Sequence, residues 1–236
     1  MSFANDNFTD TDNTLQENHT PDSGGTWTRG YGYTVENIIL SNYLRTQYGN
    51  ECPYYHSATP PSADYDSVCT CYCGASAATI GGPCIRIDGS SSLTRYGVFY
   101  NAGSIYWHMY KYVSGSFTTI STYTGDVPTT TRNVRLYGVG STIAVDIDSV
   151  NRISSTDSSI SSANYTGIMG LGTAEQLDTW SSTDLGGGGG RIMGPLAGQG
   201  GLAGMGGLAG PGGGLAAAEA YAQRVMARDR HLRMAA

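Results

Sequence analysis

The chain has 236 residues, 39% of them hydrophobic and 14% charged, and a formal net charge of −6. That charge is unevenly divided: residues 1–185 carry 17 acids against 8 bases, while 186–236 carry Glu219 and Asp229 against five arginines, giving −9 and +3. An acidic body with so few bases argues against nucleic acid as a partner, since phosphate is bound mainly by Lys and Arg, and no apolar stretch approaches the ~20 residues that span a bilayer. No N-terminal segment has the basic start and apolar run of a signal peptide, so no passage through a membrane is expected.

Composition shifts abruptly at Leu185 and Gly186, which divides the chain into a body of 1–185, a glycine-rich segment of 186–214 and a terminal segment of 215–236. The body is large enough to bury a full core without staples. It is rich in Tyr, Ser, Thr and β-branched residues and nearly empty of Lys, a composition that favours strands joined by polar turns. Apolar or alternating runs bounded by Gly, Asn, Asp and Pro predict strands over 34–40, 43–47, 65–72, 84–88, 96–101, 104–113, 117–123, 133–138, 142–147 and 163–171. Short strands at this spacing predict an all-β antiparallel sandwich. The run from Tyr96 to Tyr123 is the clearest, with Asn101-Ala102-Gly103-Ser104 and Ser114-Gly115-Ser116 as tight turns whose positive-φ positions are expected on glycine.

Five cysteines are an odd number, and Cys69, Cys71 and Cys73 alternate. On a strand their side chains form a row on one face, with neighbours badly placed for a disulfide. C-x-C-x-C is also the wrong spacing for zinc, so these three read as small side chains of a reduced protein. A pairing of Cys52 with Cys84 is left open.

The order of features resembles a family. Asp6-Asn7-Phe8, Leu15, His19-Thr20-Pro21, Gly25 and Trp27 resemble the opening of concanavalin-A-like, laminin-G-type jelly rolls found in phage and bacterial surface proteins. Asn133-Val134-Arg135-Leu136, the run from Gly140 to Asp148, Tyr165 to Gly170 and Asp178-Thr179-Trp180 resemble the second half of that family. The resemblance implies a jelly roll over residues 3–185 whose closing strand pairs with the N-terminal one.

Chemistry is harder to find. Glycanases built on this jelly roll carry paired carboxylates alternating along one strand, because acid and nucleophile sit about 5 Å apart across the bond. The body's glutamates, Glu17, Glu36, Glu51 and Glu175, are isolated, and the alternating pairs Asp64/Asp66 and Asp146/Asp148 do not match. Asp146 and Asp148 read as the end of a strand capping its turn, with a Ca2+ site as the sharper alternative and no other cofactor expected. His19, His56, His108 and His231 lie in unrelated contexts, and no Ser occupies a Gly-x-Ser-x-Gly elbow, so the chain is read as a non-enzyme. His108 reads as a sheet residue with a satisfied ring nitrogen.

Sixteen of the 17 tyrosines lie in the body, and Tyr and Trp serve both as sugar-stacking surfaces and as rigid interface anchors. Alternation places Tyr106, His108, Tyr110 and Tyr112 on one face of their strand and Trp107 and Met109 on the other, one set to the core and the other free for a neighbour or a glycan. Tyr54, Tyr55, Trp107 and Tyr110 are the candidate contacts.

Beyond Gly186 to Gly190, Leu-Ala-Gly recurs at Leu196, Leu202 and Leu208, and Gly198, Gly201, Gly204, Gly207, Gly210 and Gly213 fall on every third residue. Three is the period of an extended polyproline-II-type strand, which predicts close packing against other backbone. From Leu215 the sequence predicts a C-terminal α-helix, with Tyr221 and Val225 on an apolar stripe and Arg224 and Arg228 on a basic one. The resemblance and this tail together predict a virion protein, a phage decoration or fibre-type module. Its tail would join other virion proteins or copies of itself, in a homo-oligomer for which a trimer is one option. The alternative is a glycan-binding adhesin that meets a host-surface glycan; a glycoside hydrolase or lyase is the weakest reading.

Overall fold

The computed structural model describes residues 2–72, 79–89, 94–101, 103–124, 131–161, 165–173 and 175–186. Cys73 and the tail residues Leu196, Leu202, Leu208, Gly198, Gly201, Gly204, Gly207, Gly210, Gly213, Tyr221, Arg224, Val225 and Arg228 lie outside these. The described strands are β1 (Ser2–Asp6), β2 (Thr14–Leu15), β3 (Trp27–Arg29), β4 (Asn37–Leu40), β5 (Tyr43–Thr46), β6 (Cys52–His56), β7 (Tyr65–Tyr72) and β8 (Gly82–Ile87). They continue as β9 (Arg95–Asn101), β10 (Tyr106–Val113), β11 (Ser116–Thr124), β12 (Arg132–Val139), β13 (Thr142–Ile147), β14 (Val150–Thr156), β15 (Tyr165–Gly170) and β16 (Gln176–Thr183).

Two antiparallel sheets result. A nine-stranded sheet runs β14-β13-β12-β7-β16-β5-β4-β2 with β1 also on β16, and a seven-stranded sheet runs β11-β10-β9-β8-β15-β6-β3. Each of the ten expected strands has a counterpart, and the closing strand pairs with the N-terminal one as the resemblance implied, Asp6 lying opposite Trp180. Three hairpins turn through two consecutive positive-φ residues, Ser41-Asn42, Ser114-Gly115 and Asp148-Ser149. Such turns match the right-handed twist of their strands. The β9–β10 turn differs from expectation, since its positive φ of 62° falls on Ile105 and not on Gly103.

One core cluster fills the space between the sheets, with Leu44, Cys69, Cys71, Val134, Leu136, Val145 and Trp180 from the larger and Ile85, Val98, Tyr100, Trp107, Met109 and Ile168 from the smaller. Polar anchors cross it. The Trp180 indole donates to Ser67 Oγ at 2.9 Å and to the Gly167 carbonyl at 3.2 Å. Buried Asp6 accepts from Trp27 Nε1 at 2.6 Å, from the Phe8 amide at 2.9 Å and from His19 Nε2 at 2.9 Å, while His19 Nδ1 lies 2.8 Å from Asp10. Burial works against the His19 charge, but the hydrogen bonds to Asp10 and Asp6 outweigh it and raise the imidazole above its ordinary value.

Cys52, Cys69, Cys71 and Cys84 are all free thiols, so Cys52 and Cys84 do not pair. Cys52 instead donates to the Val35 carbonyl at 2.7 Å, and the Cys69 and Cys71 sulfurs lie 3.4 Å apart in the core.

A second buried carboxyl ties loops of both sheets. Glu175 accepts from Thr46 Oγ1 at 2.6 Å, from the Gly81 amide at 2.7 Å and from the Leu171 amide at 2.8 Å. Burial pushes its carboxyl from 4.5 up to about 7 against these donors. The folded state therefore keeps a proton that the unfolded chain releases, so this stabilisation is full below 4.5 and is lost as pH rises through about 7. The interval corresponds to roughly 3 kcal/mol at ~1.4 kcal/mol per tenfold. Between pH ~4.5 and ~7 the unfolding free energy from urea titrations should fall less, or rise more, with pH in Glu175→Gln than in the parent, since the contributions of His19 in one direction and of His56 and His108 in the other are common to both proteins. Equal slopes for the two proteins would show that Glu175 is ionised throughout.

Candidate functional site

The central strands of the smaller sheet are buried on both faces. All residues of β8 and β9 are buried, and alternation on β10 runs as expected, with Trp107 and Met109 in the core and His108, Tyr110 and Tyr112 on the opposite face. That opposite face is not free: Phe99, Tyr110, Tyr112 and Phe117 form an aromatic layer with ring centroids 5.4–5.8 Å apart. Gly97 makes room for it, because a Cβ there would lie 2.3 Å from the Tyr110 hydroxyl. His108 stacks on Phe99 at 4.8 Å with Nε2 3.3 Å from Ser104 Oγ, but its buried Nδ1 has no partner. Burial lowers its imidazole to about 4, so it is neutral at pH 7.

Arg95, on the same face, is the charge at the centre of this layer. Its guanidinium contacts Glu51, lies 3.3 Å from the Tyr33 hydroxyl and sits 4.4 Å above the Tyr112 ring, while the Tyr112 hydroxyl donates to the second Glu51 oxygen at 3.1 Å. The Arg95 and Glu51 side chains are 2% and 14% exposed. Burial opposes the charge on Arg95, but the Tyr110 and Tyr33 hydroxyls and Glu51 hold the guanidinium above its ordinary value.

Beside this ion pair opens a small, shallow cleft lined by Gly30, Tyr31, Tyr33, Pro53, Tyr54, Tyr55, Ile87, Asp88, Thr94 and Arg95. Its position follows from strand pairing. β3 pairs with β6 so that Thr28 lies opposite Tyr55 and Arg29 opposite Tyr54, which delivers Gly30-Tyr31-Gly32-Tyr33 beside Pro53. Gly32 turns that segment at φ 81°, and the Gly30 amide bonds the Pro53 carbonyl at 2.8 Å. Asp88 and Thr94 close the β8–β9 connection through a 2.9 Å backbone bond. Tyr31 is 70% exposed, and half-buried Tyr55 packs on Tyr165 with centroids 4.6 Å apart. Exposed rings beside charged and hydroxyl groups suit a ligand with both apolar and polar faces.

Of the candidate contacts, Tyr55 alone reaches the cleft with an accessible side chain. Tyr54, Trp107 and Tyr110 are 0% exposed, because the sheet is covered on both faces there, and they present no ring to a ligand. Tyr31, Tyr33, Asp88, Thr94 and Arg95 escaped the sequence reading, although the Gly-Tyr-Gly-Tyr alternation at 30–33 is a visible signal. The aspartates weighed for calcium hold protein partners: Asp146 accepts from Arg135 and Asn151, and Asp148 from the Asn133 amide. Among the described residues, no group of three or more His, Cys, Asp and Glu is placed to hold a metal ion.

No family model and no curated protein matches the chain. Solved structures do. They include the carbohydrate-binding module CBM66 from Bacillus subtilis, at 14% identity over 74% of this chain and 98% of that one, with a TM-score of 0.52. The Ca2+-bound VIP36 exoplasmic/lumenal domain matches at 11% identity over 77% of this chain and 92% of that one, TM-score 0.55. A chain from work on endo-acting O-glycanases of human gut microbiota matches at 8% identity over 78% and 100%, TM-score 0.54. The fold is a concanavalin-A-like jelly roll. At these identities the likeness establishes architecture alone, and the site rests on its own residues.

Because Tyr110 lies across Gly97 under the Arg95 pair, Gly97→Ala should lower stability by about 1–3 kcal/mol, as overpacking of a filled interior does. A urea midpoint equal to that of the parent protein would show that the aromatic layer is loose.

Proposed function

We propose that the jelly roll is a non-catalytic glycan-binding module whose ligand occupies the cleft at Tyr31, Tyr33 and Tyr55. The observation that carries this reading is the cleft itself, which is lined by a 70%-exposed tyrosine on a glycine-flanked segment, by a strand-borne tyrosine and by the arginine of a buried ion pair. Sugars present apolar C–H faces and ring-edge hydroxyls, which aromatic rings and fixed polar groups meet respectively. Support also comes from similar folds, since these include a carbohydrate-binding module and a VIP36 domain solved in a Ca2+/Man-bound form. Tyr31→Ala and Tyr55→Ala should each weaken binding on a glycan array, confirmed by titration calorimetry, by roughly tenfold for each lost ring contact. Binding untouched by both changes would place the ligand elsewhere, and the absence of any glycan ligand would overturn the reading.

The tail supports a second role, assembly. Glycine at every third position from Gly198 to Gly213 and the basic stripe of Arg224 and Arg228 are features that favour docking against protein, in a particle such as a virion. The body, Met1–Gly186, is a compact unit by itself. Removal of 187–236 should leave a folded, glycan-binding body with reduced self-association in sedimentation analysis; unchanged self-association would remove the tail from assembly.

A further inference from the structure

Resting on the glycan-binding reading, we propose that Glu51 sets the charge selectivity of the cleft: by neutralising Arg95 it makes the site one for an uncharged sugar unit and excludes uronates and sulfated or sialylated sugars. Arg95 is the one cation among the residues that line the cleft, and on an accessible floor it would be the natural partner of a sugar carboxylate. Here its Nη2 is committed to Glu51 and to Tyr33, and the other Glu51 oxygen is held by the Tyr112 hydroxyl.

The wider surroundings add negative charge. Asp88 lines the cleft, and Arg29, on the strand that leads into it, lies 3.3 Å from Glu36 and 3.7 Å from Glu17. Arg95 is thus set against Glu51, and Arg29 against Glu17 and Glu36. An entering anion would leave water, find no uncompensated cation and meet a surplus of carboxylates, so its desolvation goes unrepaid. An uncharged ring loses nothing of this kind. It can stack on Tyr31 or Tyr55.

The test compares matched sugar pairs, a neutral hexose against its uronate and a galactoside against its sialylated form, on the full-length protein by calorimetry at low salt. The unmodified protein should bind the neutral member at least about tenfold more tightly, and Glu51→Gln, which keeps the shape and one acceptor while removing the charge, should shrink that ratio by about tenfold. Parity or a preference for the anionic member in the unmodified protein overturns the role of Glu51 while leaving glycan binding intact. An unchanged ratio in folded Glu51→Gln overturns it also. If that variant does not fold, the unmodified protein's preference decides. Failure of every sugar to bind, with Tyr31→Ala and Tyr55→Ala indistinguishable from the parent, defeats the glycan reading itself and not the charge rule alone.

Discussion

A buried carboxylate near the N-terminus is the constraint from which the site follows. Asp6 lies at the end of β1, opposite Trp180 in the larger sheet, yet its Oδ2 holds the indole of Trp27, the first residue of β3 in the smaller sheet. Trp27 and Trp180 meet with centroids 4.7 Å apart, so the same few atoms join the two sheets at the core. A carboxylate buried this way is tolerated because each oxygen is met: an indole, a backbone amide and His19 supply three donors. Once Trp27 is fixed, β3 has one register against β6, and the segment after it must emerge beside Pro53. The cleft is thus a downstream consequence of a contact in the core.

The second constraint is the buried Arg95–Glu51 pair. Removing two charges from water costs several kcal/mol per ion, and the attraction between them offsets this only when the remaining donors and acceptors are also satisfied. Tyr33 and Tyr112 do that with their hydroxyls, and the Tyr112 ring adds a cation–π contact at 4.4 Å. Tyr33 thereby links the floor to the Gly-Tyr-Gly-Tyr segment. A floor fixed from below and a rim fixed by strand pairing are preorganised, which lowers the ordering cost that a ligand of the proposed kind would have to meet.

Much of the fold was legible because strand alternation survives wherever one face meets the core. Strands that alternation did not reveal, β16 being implied by the resemblance alone, have physical reasons. β14 buries only Ile153 among seven residues, so its pattern is nearly all polar. β6 carries Pro53 in five residues, a mark against a strand. β16 has a register shift between Asp178 and Ser181, with Thr179 at φ 47°, and this bulge sends Leu177 and Trp180 to the core at a spacing of three instead of two. Three of the four candidate contacts, Tyr54, Trp107 and Tyr110, lie in the interior for a different reason. A period of two tells which residues share a face but not whether that face is covered, and Tyr110 and Tyr112 lie on a face that the fold covers. Tyr54 was lost to burial in the same way, whereas Tyr31 sits outside any strand and offers no periodicity to follow.

This division explains how chains 8–14% identical to this one share its architecture. The sandwich needs alternation, turns that accept positive φ and a few satisfied polar anchors, and many sequences provide them. The cleft needs particular side chains on connections: Tyr31 and Tyr33 after β3, Asp88 after β8 and Glu51 before β6. Connections of this sort can change without disturbing the core, since their cost is local and their backbone faces water. A common jelly roll therefore carries different ligands according to what its loops present, and here they present an open tyrosine beside an arginine already neutralised from within. The charge state of that arginine, a property of Glu51 and not of the fold, is what separates this cleft from others the same scaffold could build.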